Sequence, residues 1–219
     1  MDMLLMLMTI GGIILAAGLF VVALYTGKAW LAKFVAGGVM VWFAFYTVML
    51  LGASFMSRDR LLEQNEPKEF CGFYFDCHMH ASVTDVKTAR TIGDRAAKGI
   101  FYIVTVKVFS NARRATLGLL TVDAHVLDSD RRKYERDPAA ELQLPPQPEF
   151  EEKIGPTESF EKQIVFDLPT GVNAPRLDIR EGYGIDHAIE AVLIDDEDSI
   201  FHGRNYFELQ KQNQPTGVN

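Results

Sequence analysis

Two uninterrupted apolar runs, Leu4 to Tyr25 and Phe34 to Met56, carry no charged residue and fill most of the first quarter of the chain. Only Thr26 to Lys33 separates them, and that link holds Lys28 and Lys33. Each run exceeds the ~20 residues that cross ~30 Å of hydrocarbon at ~1.5 Å per residue. Lipid offers backbone groups no hydrogen-bond partner, so each run is predicted as a helix, and so short a link makes the pair antiparallel. The expectation is a transmembrane helical hairpin over residues 1–57.

The pattern changes after Met56. Arg58 to Glu69 is polar and charged, and reads as a stalk continuing the second helix until Pro67 stops it. Beyond residue 70 the apolar positions recur at period two. In Phe101 to Phe109, Tyr102, Val104, Val106 and Val108 fall on one face, with Thr105 and Lys107 on the other. Leu120, Val122, Ala124 and Val126 alternate likewise before a turn at Asp128-Ser129-Asp130. Phe160, Ile164, Phe166 and Leu168 form a third set. Leu177 with Ile179, Ala191 to Ile194, and Tyr206 to Leu209 add shorter candidates. Short strands between turn signals, with no long helical period, predict a mainly β fold, an antiparallel sandwich over 70–219. Pro145, Pro146 and Pro148 mark an extended loop within it.

Phe101 to Asn111 ending in Val-Phe-Ser-Asn, then Leu127 to Tyr134, then Val165 to Pro169 preceded by Gly155-Pro156, follow one another in a way that resembles a known family. It is similar to the bacterial immunoglobulin-like domains of unassigned function that are displayed on lipoproteins and membrane-anchored surface proteins. The resemblance covers roughly residues 80 to 180. It implies an immunoglobulin-like sandwich, a place outside the cytoplasm, and no reaction. The chain departs from the pattern at Arg131, where the family often has glycine, and in having no lipoprotein cysteine.

Charge and location follow. A signal peptide has a basic n-region and an apolar core of ~7–15 residues. Here the n-region is Met-Asp and the run is longer, so a retained helix is expected. The lysines of the link favour a cytoplasmic link, with both termini and the large C-terminal part outside a bacterial inner membrane. Removing Asp2, Lys28 and Lys33 from the totals of 22 basic and 29 acidic residues leaves 20 and 28 from Ser57 on, a net charge of −8. Phosphate contacts need basic clusters, so nucleic acid is excluded as a partner.

The most chemical stretch is Cys71 to His80, which holds both cysteines, His78, Met79 and His80. Thiolate, imidazole and thioether form the ligand set of copper sites. The spacing matches no familiar metal signature, and Tyr74 breaks a C-x-x-C-H haem motif. A structural role, as a disulfide or as buried thiols, is the preferred reading. Period two would set Phe73, Phe75, Cys77 and Met79 opposite Tyr74, Asp76, His78 and His80. Asp195 to Asp198 reads as a solvated acidic turn rather than a calcium loop, since the glycine-bearing spacing is absent. His125, His187 and His202 read as surface or hydrogen-bonded side chains. No G-x-S-x-G, phosphate-cradling loop or H-E-x-x-H occurs, so neither an enzyme nor a resident cofactor is expected. Pro169 to Asn173 recurs as Pro215 to Asn219, an echo of five residues that reflects turn preference.

Partners are read from the hairpin. Gly11, Gly12, Ala16 and Ala17, with Ala36, Gly37 and Gly38, permit close backbone approach and are expected to pack the two helices together. Trp42, Phe43, Phe45 and Tyr46 fall near the middle of the second run, although Trp and Tyr favour membrane interfaces. They are expected to dock against another membrane subunit, a pigment or a quinone. The resulting expectation is a non-catalytic accessory subunit of a larger membrane complex, photosynthetic or respiratory, in contact with lipid. A copper or redox module and a free-standing surface binding protein are the alternatives.

Overall fold

The computed structural model describes residues 2–72 and 76–210. The chain forms two compact units: residues 1–58 with 184–204, and residues 59–183 with the remainder of the chain.

In the first unit, α1 (Asp2–Tyr25) and α2 (Ala29–Met56) form the hairpin. Both are apolar enough to cross a membrane. The turn is tighter than the charge pattern suggested. Helix α2 begins at Ala29 rather than Phe34, so Trp30 and Lys33 lie within it. Small side chains close the hairpin near the turn, where Ala23 and Ala32 are buried. At the far end Leu50 and Ser54 are buried. Helix α2 stops at Met56, with Ser57 extended as its C-cap. The expected helical stalk is therefore absent: Arg60–Leu62 is strand β1 and Lys68–Gly72 is strand β2. Glu63 to Glu66 makes a turn between them, closed by the Glu66 N–H on the Glu63 carbonyl at 3.0 Å.

The second unit is a β-sandwich. One sheet runs β2, β3 (Asp76–Ile92), β4 (Arg95–Ser110), β7 (Ser159–Leu168), antiparallel throughout. The other runs β1, β9 (Asn205–Glu208), β8 (Arg176–Glu181), β5 (Val122–Leu127), β6 (Lys133–Glu135), with β1 parallel to β9. Alternate residues of both sheets meet in one core. Met79, Val83, Val104, Val106, Ile164 and Phe166 come from the first sheet, and Val126, Leu177, Ile179 and Phe207 from the second. Period two thus does what it predicted along β4. The outer face of β4 is also apolar at Phe101, because α3 (Pro138–Glu141) covers it. Phe101, Val165 and Ala140 form a second, smaller core.

One expected strand differs. Ala191 to Ile194 is not a strand but a turn after the short helix α4 (Gly184–Glu190), and it belongs to the first unit. The sandwich is therefore not a continuous 70–219 domain. Phe73, Tyr74 and Phe75, and the second Pro-Thr-Gly-Val-Asn copy, lie outside the described residues.

Candidate functional site

The copper candidates do not converge. Cys71 and Cys77 are joined in a disulfide between β2 and β3, so neither offers a thiolate in this state. Alternation along β3 then separates the rest. Met79 is buried in the sandwich core, whereas His78 is exposed, its Nδ1 2.7 Å from Asn111 Oδ1. His80 stacks on Phe109 at 5.1 Å.

His187, Glu190 and Asp198 do come together. His187 and Glu190 are one turn apart on α4, the acidic turn supplies Asp198, and one ligand atom of each lies within 4.8 Å of the others. His187 Nδ1 is 3.0 Å from Glu190 Oε2. Burial raises the Glu190 carboxyl above its ordinary range; the bond from His187 opposes this, and Asp198 and Asp196 add to it. Arg204 Nη2 lies 3.2 Å from Asp198 Oδ1 and supplies positive charge from the protein itself. The three side chains are the donor set that can hold a divalent ion. Spacing hid them, because Asp198 reaches the pair across a turn.

His125 is buried rather than superficial. Its Nε2 lies 3.6 Å from the fully buried Asp178 and its Nδ1 3.3 Å from Asp123. Lys68 crosses from the other sheet, donating to the Ile179 carbonyl at 2.9 Å and standing 4.0 Å from Asp178. The group ties the two sheets through charge. Burial lowers the His125 pKa, with Asp178 pulling the other way. A shallow polar depression of about 710 Å³ is lined by Arg95, Lys98, Lys133 and Arg136 together with Glu135, Asp137 and Asp167. Arg95 already pairs with Asp137 at 2.9 Å, and no single sign of charge dominates.

The hairpin holds a second feature, and it is apolar. An apolar groove of about 440 Å³ lies between α1 and α2, lined by Gly12, Ala16, Phe34, Gly38 and Trp42 among others. The glycines do not make the helix–helix contact expected of them. A Cβ placed at Gly11, Gly12, Gly37 or Gly38 would meet nothing within 4 Å beyond its own helix backbone. The glycines open outward instead.

Of the four aromatics, Trp42, Phe45 and Tyr46 fall at i, i+3 and i+4 along one side of α2, with Phe43 beside them. Trp42 Nε1 donates to Thr9 Oγ1 at 3.3 Å, and the Tyr46 hydroxyl donates to the Val192 carbonyl at 2.8 Å. Phe43 and Phe45 are 65% and 51% exposed, with the Phe45 ring 5.7 Å from Trp42.

A family model described as "Domain of unknown function (DUF4352)" matches residues 76–189, more than half of the 219. The chain belongs to the DUF4352 family. The match contains the region where the resemblance was read and extends it at both ends. What it carries is membership of a β-sandwich family without an assigned function; the lipoprotein association is not part of it. No curated protein sequence matches this DUF4352 chain. Two solved structures are similar. One is the secreted protein MPT63 from Mycobacterium tuberculosis, at 14% identity and TM-score 0.42, covering 68% of this chain and 97% of that one. The other is an uncharacterised β-sandwich protein from Clostridium difficile 630, at 10% identity and TM-score 0.36, covering 70% and 97%.

Proposed function

We propose that the chain is a non-catalytic accessory subunit of a larger membrane complex. Its hairpin crosses the membrane and receives one transmembrane helix of a partner subunit. Its immunoglobulin-like sandwich is presented outside the cytoplasm, where it covers or links partner surfaces. The observation that carries the reading is the open groove over Gly12, Ala16 and Gly38. In lipid the hydrophobic effect does not drive helices together, and close backbone packing over small residues does. A hairpin that exposes its glycines gains nothing from them by itself. A partner helix laid over Gly12, Ala16 and Gly38 gains close contact along the groove.

The test uses Gly12→Leu and Gly38→Leu. Both positions have room for a side chain, and leucine is a better helix former than glycine, so insertion and membrane yield should be normal. Recovery in the native high-mass assembly should fall at least tenfold, matching loss of about 1.4 kcal/mol or more of association energy. Variants that stay fully complex-bound would show that the groove is not the contact. A wild-type chain that migrates alone would end the subunit reading.

A further inference from the structure

Residues 184–204 leave the chain between β8 and β9 and fold as part of the first unit. Helix α4 in this segment is only seven residues long. Isolated helices shorter than ~12–15 residues are marginal in water, so what fixes α4 has to come from outside it. Its polar side supplies His187 and Glu190, one turn apart at i and i+3. The acidic turn beyond Ile194 brings Asp198 to the same point.

Asp198 is held there by the turn. Its N–H donates to Asp196 Oδ1 at 2.9 Å, and the neighbouring Ser199 hydroxyl donates to the carbonyl of buried Leu193. The two Asp198 oxygens face different groups. Oδ1 lies 3.2 Å from Arg204 Nη2, and Oδ2 lies 3.9 Å from His187 Nδ1. The arginine fixes the carboxylate and leaves one oxygen turned toward the pair on α4. Ligating carboxylates in metal sites are oriented in this way by partners outside the ligand set.

The spacing fits a small ion. Glu190 Oε2 and Asp198 Oδ2 stand 3.0 Å and 3.9 Å from the same nitrogen, His187 Nδ1. Zinc, with bonds of ~2.0–2.1 Å, holds tetrahedral donors about 3.3 Å apart. The two distances straddle that value, so small side-chain rotations are enough. Donor chemistry narrows the choice of ion. Calcium and magnesium take oxygen ligands, whereas zinc accepts imidazole nitrogen beside carboxylate oxygen. With the ring neutral, the two carboxylates outweigh the Arg204 guanidinium and leave the set net negative. The three side chains are only partly buried, so an ion can enter and water can complete its shell.

We infer that His187 Nδ1, Glu190 and Asp198 bind one zinc ion, which clasps α4 to the acidic turn. The ion displaces the proton from Nδ1. His187 then binds as the neutral ring with its proton on Nε2, and a ring that was charged releases one proton to solvent. The site is separate from the Cys71 to His80 stretch, whose thiols form a disulfide and whose Met79 lies in the core. It also uses no residue of the hairpin groove, so it does not rest on the subunit reading.

The experiment uses the untagged full chain in detergent micelles, stripped with a chelator and then dialysed against zinc chloride. One zinc per chain is expected. His187→Gln, Glu190→Gln and Asp198→Asn should each weaken binding at least tenfold, while the double variant His78→Gln with His80→Gln should bind as wild type does. Cobalt in place of zinc reads coordination directly: visible absorption should appear in wild type and be lost in the three site variants. Hydrogen exchange over residues 184–204 should slow several-fold with zinc in wild type and not in Glu190→Gln. A wild-type chain without stoichiometric zinc, or site variants that bind as tightly as wild type, would overturn the site. Zinc lost from the His78 and His80 variant instead, or displaced by equimolar calcium, would overturn it as well. Zinc bound with unchanged exchange over 184–204 would overturn the clasp. Circular dichroism of each zinc-free variant, matched to zinc-free wild type, separates loss of the site from loss of the fold. If one variant fails to fold, the cobalt spectra of the other two decide.

Discussion

Arg131 stands at φ 60° in the turn after β5, a position that favours glycine. The turn is otherwise well made: Asp128 Oδ1 accepts from the N–H groups of Asp130 and Arg132, and the Tyr134 hydroxyl donates to Oδ2. These bonds hold the Asp128 carboxyl below its ordinary range even though burial acts against them. The glycine that the resemblance led one to expect here would therefore have a backbone cause, the positive φ that Arg131 adopts. Arg131→Gly relieves the left-handed cost and loses an exposed pair to Asp59 at 3.9 Å, a weak contact. The expected outcome is a gain of up to about 1 kcal/mol in chemical unfolding; a loss larger than that would show that the arginine is needed. His125 sets the pH response of the sandwich. Its folded pKa lies below the 6.5 of an unfolded histidine, chiefly because it is buried, with Lys133 adding to this and Asp178, Asp123 and Glu135 opposing. Protonation thus favours the unfolded chain. Stability should be complete above pH 6.5 and decline as pH falls from there toward the lower folded pKa. Thermal melts of His125→Gln between pH 7 and 5 should be flatter than wild type. Equal slopes would remove His125 as the cause.

At the scale of elements, the sequence is most legible where one period dominates. Strands β4, β5, β7 and β8 lie where apolar alternation placed them, because each has one face in the core. The short pieces were misread for physical reasons. Ala191 to Ile194 is apolar enough for a strand, yet Leu193 and Ile194 are buried within a turn of the hairpin unit and not in a sheet. Arg58 to Glu69 is polar enough for a solvated helix, but β1 pairs with β9 across more than 140 residues, an arrangement local pattern cannot carry. Helix α2 begins five residues earlier than the charge pattern suggested, and the hydrogen bonds of Trp42 to Thr9 and of Tyr46 to Val192 are tertiary contacts that local pattern does not carry. The candidate groove was half visible: Gly12, Ala16 and Gly38 stood out as small residues in lipid, but which way they faced depended on helix rotation.

For the molecule as a whole, the Cys71–Cys77 disulfide and the expected orientation support one another. Disulfides persist in oxidising compartments and are rare in the cytosol. Lys28 in the turn and Lys33 in the first turns of α2 favour a cytoplasmic link, and on that proposed topology Cys71 would lie outside with the rest of the sandwich. A reporter active only in the cytoplasm, fused after Asn219, should be silent, and one active only outside should work. In intact cells both cysteines should resist alkylation until a reductant is added. The bridge closes a small loop, so Cys71→Ser with Cys77→Ser should cost about 2 kcal/mol of domain stability, read as a lower melting temperature. The two readouts check each other. A silent cytoplasmic reporter with freely alkylated thiols would keep the orientation and remove the disulfide as a stabilising element. Strong cytoplasmic activity with reduced thiols would invert the topology and place the acidic sandwich inside the cell.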